Sequence, residues 1–231
     1  MESDSRLKRM VKEKSKLLRA VLFFYNHLPF NNKIKKKGNR LQVGISFLKK
    51  TKIEFHGTGN TVIIGDGCRL TNCHIIIQGN NNTVRLSDFI TAYQAEFYIE
   101  DDDNSILCDQ HNLFAGKIHL ACTEGSKIQI GKDCLFSSEI VIRTGDSHSV
   151  LDMEGNRINY AKDVIICDHV WVGYRALINK GVTVQKDSII GTGAVVTKKF
   201  EQPNVCIAGS PAKVVKENVS WDIQRIGEGK K

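Results

Sequence analysis

The chain is poor in several things that would point elsewhere. Three prolines in 231 residues leave no proline-rich linker. Aromatics are only 7% of the chain, which suits a narrow interior lined by Val and Ile. The longest helical apolar run, Ala20–Tyr25, is far shorter than the ~20 residues a bilayer span needs. Arg6, Lys8 and Arg9 stand near the start, but no apolar core with a small-residue cleavage site follows them, which argues against a secretory signal. The cysteines Cys68, Cys73, Cys108, Cys122, Cys134, Cys167 and Cys206 form no CxxC pair. An odd count without a signal predicts free thiols in a reducing compartment, and so a cytoplasmic protein. Cys68 and Cys134 fall on small-residue positions of the repeat described below, so packing is their expected role rather than metal or redox chemistry.

Charge is unevenly placed. Residues 1–52 hold 15 Lys and Arg against 3 Asp and Glu, whereas the remainder holds 18 against 22. The net +8 therefore belongs to the N-terminal segment. Within it, Leu7, Met10, Val11, Leu17, Leu18, Val21, Leu22, Tyr25 and Leu28 recur in steps of 3 and 4. That spacing predicts an amphipathic helix from Ser5 to Leu28, capped by Ser3 or Ser5 and closed by Pro29. Two roles suit it. One is contact with an anionic membrane face or an anionic polymer; the other is packing on the rest of the chain or on a neighbouring subunit. Lys33–Lys37 reads as a solvated loop, and without interleaved aromatics it gives no support to nucleic-acid binding.

What the chain has in abundance is a repeat. From Val164 to Thr197 aliphatic residues recur every sixth position, at Ile166, Val172, Ile178, Val184, Ile190 and Val196. Four residues after each of the first five comes a slimmer position: Val170, Ala176, Val182, Ser188 and Ala194. Six is neither the period of a helix nor the alternation of an open sheet. It predicts a solenoid of short strands and corners, three sides to a coil, with coils about 4.8 Å apart. Ile64, Leu70 and Ile76 keep the step, as do Ile130, Phe136 and Ile142. Between Val84 and Ile118 the step is poor. Gly79–Thr83 (GNNNT) reads as a turn cluster, because Asn tolerates the left-handed conformation. Glu100–Asp103 reads as an exposed corner.

Between Ile142 and Val164 the register stops, and a loop over about 143–163 is expected to leave one corner. It contains His148 in Asp-Ser-His. An imidazole titrates near neutral pH, and loops on rigid scaffolds carry function.

The run DHVWVGYRALINKGVTVQKDSIIGTGAVVTK, followed by PNVCIAGSPAKVVK, resembles the hexapeptide-repeat acetyltransferases, sugar O-acetyltransferases of the maltose/galactoside type among them. The D-S-H-S loop followed by GNRINYAKD is similar to the branch that modifies capsular and lipopolysaccharide sugars. The likeness covers residues 126–216; residues 41–125 match as degenerate coils, and residues 1–40 are not covered. It implies a mainly β protein: a left-handed parallel β-helix over 41–216 with an N-terminal amphipathic α-helix in 1–40 and a tail at 217–231.

The same resemblance implies acetyl-CoA as co-substrate, a saccharide acceptor, no metal and a homotrimer with sites between subunits. His148 takes the place of the catalytic base, and Asp146 is the nearest carboxylate to orient it, with Glu139 or one from another coil as alternatives. Trp171 lies where a tryptophan borders the thioester and acceptor, and amides around Trp171–Gly173 are candidates for the oxyanion. Gly173, Tyr174, Thr192, Thr197 and Lys198 would line the pantetheine groove, with Tyr174 departing from the small residue usual there. Lys213 and Lys216 would stand near the nucleotide phosphates, and His119 on the acceptor side. Other readings are N-acetylation of an amino sugar, a serine-type O-acetyltransferase, a γ-carbonic-anhydrase-like zinc lyase drawing on His74, His111, His119 and His148, and a non-catalytic scaffold.

Overall fold

All six aliphatic residues of the repeat from Ile166 to Val196 point inward and are buried, as are Val170, Ala176, Val182, Ser188 and Ala194. The structure, a computed structural model, describes residues 9–11, 13–28, 31–35, 38–224 and 226. Its strands form the three sides of a β-solenoid, with eight, seven and nine strands. The chain passes from the seven-stranded side to the nine-stranded side and then to the eight-stranded side in each coil. All pairings are parallel except the last, where Ala212–Glu217 folds back on Val205–Gly209.

Coil length changes along the axis. Early coils advance by 22 residues, as in Lys52↔His74↔Glu96 and Thr61↔Thr83↔Ser105. Late coils advance by 18, as in Trp171↔Ile189 and Leu177↔Val195. The difference lies in strand length. The early eight-stranded side uses five-residue strands such as His74–Gln78 and Ala95–Ile99, which place two and three residues inside; the late one uses pairs such as Leu177–Ile178, which place one. This is why the six-residue step fails between Val84 and Ile118. It also corrects one position: Ile76 faces outward, while Ile75 and Ile77 are buried. Inside, residues stack on their register partners, with Phe114 and Phe136 rings 4.9 Å apart.

Corners are closed by residues in the left-handed region, among them Asn81, Glu139, Arg175 and Asp187. At the corner between the eight- and seven-stranded sides, buried asparagines form a ladder. The Asn60 amide donates to Asn39 Oδ1 (2.9 Å), Asn82 N to Asn60 Oδ1 (2.9 Å), Asn104 N to Asn82 Oδ1 (2.7 Å) and Ser126 N to Asn104 Oδ1 (3.1 Å). The acidic run sits at the same corner, Glu100 half-buried and Asp101–Asp103 exposed, with Asp102 Oδ1 accepting from Asn80 N (2.7 Å).

The N-terminal helix is shorter than its periodicity predicts. Helix α1 spans Lys16–Asn26, capped by Ser15, whose hydroxyl accepts from Leu18 N (3.3 Å). Arg9–Val11 form a separate turn that ends at Lys14, with φ of 50°. Ser15 N donates to Met10 O and Lys14 N to Val11 O, the pairing of a Schellman stop. Ser3, Ser5 and Pro29 lie outside the described residues. Lys33–Lys35 is no loop: it is a strand paired with Lys52–Glu54, with Ile34 packed on the core.

After α1 the chain closes the open edge of Phe47–Lys49. Asn26 donates to Ser46 O (2.8 Å) and accepts from Leu48 N (3.0 Å). Asn31 and Asn32 both donate to Leu48 O, at 3.1 and 3.0 Å. Their own oxygens accept from Lys50 N (3.1 Å) and Thr51 N (2.8 Å).

Candidate active site

The loop is an insertion in one coil. Ile128 pairs with Val164, 36 residues on, whereas Ile165 pairs with Thr183, 18 residues on. The chain leaves the eight-stranded side after Arg143 and returns at Val164. Three anchors hold it to the solenoid. Arg157 pairs with Glu124, whose other oxygen accepts from Ala161 N (3.1 Å). Lys180 pairs with Asp146 and donates to Asn159 O (2.9 Å). Ser147 accepts from Arg143 (2.8 Å) and donates to Glu100 Oε2 (3.0 Å). The carboxyls of Glu124 and Asp146 are held below their usual range, chiefly by Arg157 and Lys180 respectively.

His148 is exposed on this loop, and its imidazole makes no hydrogen bond or ion pair among the described residues. What fixes it is its backbone. Asn159 Nδ2 donates both to His148 O (2.7 Å) and to Asp146 Oδ2 (2.8 Å), and Asn159 Oδ1 accepts from Val150 N (2.8 Å). Asp146 is thus tied to His148 through Asn159 and does not touch the ring. Glu139 is engaged too, by Arg175 Nε at 2.8 Å, and its carboxyl is lowered first by Arg175 and then by Tyr174.

Trp171 stands on the nine-stranded side, 37% exposed, with its indole N–H donating to Ser137 Oγ (3.3 Å). The amides proposed for an oxyanion are occupied: Trp171 N donates to Ser188 O (3.0 Å) and Gly173 N to Ile190 O (2.7 Å). Gly173 has its own structural reason, since a Cβ there would lie 2.7 Å from Thr192 N. Tyr174 and Thr192 are exposed in adjacent coils of the next corner, where Gly193 N donates to Tyr174 O (2.8 Å). Thr197 and Lys198 stand instead at the loop's corner, Lys198 over the Phe200 ring at 5.6 Å. Lys213 and Lys216 are exposed on the final antiparallel strand. A single chain therefore gathers His148, Asp146 and Thr197 around one corner but leaves Trp171, Tyr174 and Thr192 across the eight-stranded side.

Beside the loop is a cleft of about 680 Å³ lined by Lys162, Asp163, Ile165, Lys180, Gly181, Thr183, Thr197 and Lys199. Its three lysines favour an anionic ligand. Sequence reasoning missed them, and Asn159 with them, because they converge only when the loop docks. Their one sequence signal is that Lys180 and Lys199 occupy the corner from which the loop departs.

His119 lies on the eight-stranded side, its Nδ1 2.6 Å from Glu96 Oε2. His74 lies between Glu54 (3.1 Å) and Glu96 (3.7 Å), and His111 pairs with Asp133 (3.3 Å) at another corner. The four histidines considered for zinc do not converge within the chain. Among the described residues, no group of three or more His, Cys, Asp and Glu is arranged to hold a metal ion, and no helix is long and apolar enough to cross a membrane. Burial pushes the Cys68 and Cys134 thiols up to about 12, which suits packing.

A triangular β-solenoid with a histidine-bearing loop thrown from one corner defines the class: a left-handed β-helix acyltransferase. The chain belongs to the hexapeptide-repeat O-acetyltransferases, and within them it is similar to the polysialic acid O-acetyltransferase of Neisseria meningitidis, with 37% identity over 76% of this chain and 81% of that protein. The galactoside O-acetyltransferase of Escherichia coli K12 is 30% identical over 45% of this chain and 51% of its own. The crystal structure of the polysialic acid O-acetyltransferase OatWY matches with a TM-score of 0.71 and 31% identity, covering 82% of this chain and 93% of that one. The polysialic acid-specific acetyltransferase NeuO matches at 0.64 with 29% identity, over 77% and 91%. No protein-family model matches the chain.

Proposed function

We propose that the protein transfers an acetyl group from acetyl-CoA to a hydroxyl of an acidic polysaccharide, with a sialic acid polymer as the first acceptor to test. The observation that carries this reading is the presentation of His148: its backbone is clamped by Asn159, while its imidazole is left without a partner among the described residues. The likeness to polysialic acid O-acetyltransferases supports the acceptor, and the lysine-rich cleft supports an anionic ligand.

In this mechanism His148 takes the proton of the acceptor hydroxyl as that oxygen attacks the thioester carbonyl. It then returns the proton to the departing CoA sulfur. No covalent enzyme intermediate is needed. Asn159 and Asp146 keep the loop in place, and Trp171 borders the reacting groups from a second copy of the chain. The active form is a homotrimer; the placing of His148 and Trp171 on different sides of one chain supports a site shared between copies. Val150, Leu151 and Ile158, all exposed on the loop, supply apolar contact to the neighbour. Tyr174, Thr192, Thr197 and Lys198 line the cofactor groove, and Lys213 and Lys216 meet the cofactor's phosphates. Seven free thiols, five of them buried, suit a reducing compartment. The strongly basic start of the chain guides the anionic polymer.

The test is acetyl transfer from labelled acetyl-CoA to polysialic acid. Wild-type protein is expected to label the polymer. His148→Ala should lower kcat by roughly 10²–10⁴-fold, the usual contribution of a general base. Full activity in that variant would refute the assignment.

A further inference from the structure

The segment after the last strand brings a side chain to the site that neither the repeat nor the loop provides. Asn204 clasps this segment: Val219 N donates to Asn204 O (3.0 Å), and Asn204 Nδ2 donates to Val219 O (3.3 Å). From there the chain turns back along a corner whose successive coils present Asn204, Asp187 and His169, all in the left-handed region. At Trp221 it reaches the coil of Trp171. The Trp221 indole N–H donates to His169 O (2.8 Å), and its ring lies on the His169 imidazole, with centroids 4.5 Å apart and planes 14° apart. His169 is itself anchored, donating from Nδ1 to Asp187 Oδ1 (2.9 Å). Trp221 and Trp171 lie 6.3 Å apart, tilted by 43°. The register neighbours of Trp171, Leu135 and Ile189, are half-buried and extend the apolar surface along the same side.

The two indoles are the only tryptophans in the chain. Neither is in the core: Trp171 is exposed and Trp221 half-buried. Each is instead hydrogen-bonded at its N–H, so its orientation is set while part of its ring stays open. A pyranose has a polar rim and an apolar C–H face. Its slightly positive C–H groups are matched by the negative face of an aromatic ring. We propose that Trp221 is a specificity-determining residue, forming with Trp171 and His169 an aromatic platform that receives the C–H face of a pyranose of the acceptor. This rests on the acetyl-transfer reading given above, and it adds a residue from outside the repeat domain to the acceptor side.

The test uses the full chain, acetyl-CoA and polysialic acid. Trp221→Ala should raise KM for the polymer about tenfold, more than it lowers kcat, and should shift KM for acetyl-CoA less than twofold. Trp221→Phe keeps an aromatic face and should recover most of the loss, which a merely structural role for the tail would not require. In Trp171→Phe, Trp221 is the sole indole, and its emission should respond to added polymer and not to CoA. A polymer KM within twofold of wild type in Trp221→Ala overturns the proposal. So does a rise in KM for acetyl-CoA alone, or an emission change that follows CoA and ignores the polymer. Wild-type protein that neither labels nor senses the polymer overturns the acetyl-transfer reading and the platform together; an active wild type with an unaffected Trp221→Ala overturns the platform alone.

Discussion

Glu54 is held ionised by the side chains around it. Its carboxyl drops from 4.5 to about 2, chiefly through the Lys52 ammonium, with His74 adding to the effect and burial opposing it. Lys52 Nζ is 2.6 Å from Glu54 Oε2 and His74 Nε2 is 3.1 Å from the same oxygen. A carboxylate whose folded-state pKa is depressed adds stability that is complete above its unfolded value and disappears as pH falls through the folded one. Urea midpoints should therefore fall between pH 4.5 and about 2. Glu54→Gln should flatten that part of the profile. An identical acid limb in the variant would assign the acid sensitivity to other groups.

Among the elements, the asparagine ladder contributes order that hydrophobic stacking alone does not. Asn82 accepts from Asn104 N and donates to Asp101 O (2.8 Å), and it is fully buried. Asn82→Ala leaves a buried amide without its acceptor, a loss of about 1–3 kcal/mol that chemical denaturation should detect. As a motif, GNNNT spells only a turn. Asn81 is indeed the left-handed corner residue, but Asn82 beside it is a rung. Register explains what was legible. Where sides are two residues long, each coil repeats in steps of six and its interior can be read directly, as from Ile166 to Val196. Where sides hold five residues, the interior shifts by one, and the six-residue step points to Ile76 although Ile75 and Ile77 are the buried pair. The helix failed for another reason: its apolar spacing continues through Lys14, whose left-handed turn no periodicity reports. Of the site, the position of the loop and His148 within it could be read. The Lys180–Asp146 pair and the return of Trp221 could not, because each joins segments that only the coiled fold makes neighbours; the clamp by Asn159 closes within the loop, whose path no repeat reports.

For the whole molecule, stability is close to one-dimensional, since each coil touches mainly its neighbours. Such a stack must be stopped at its ends, or the exposed edge becomes a template for another chain. The side chains of Asn26, Asn31 and Asn32 occupy the edge of Phe47–Lys49 in place of a further strand. They act as a terminator: a polymer of solenoids joined end to end would need those same hydrogen-bonding groups. Sedimentation should find the full chain as a trimer. The variant with all three asparagines replaced by alanine should give a ladder of longer, axially joined species that grows with concentration. Side-by-side closure around a three-fold axis leaves both ends of every prism facing solvent, so a trimer multiplies any unguarded edge by three. These three amide side chains thus fill, on one side of the first coil, the hydrogen-bonding groups that an axially added chain would use.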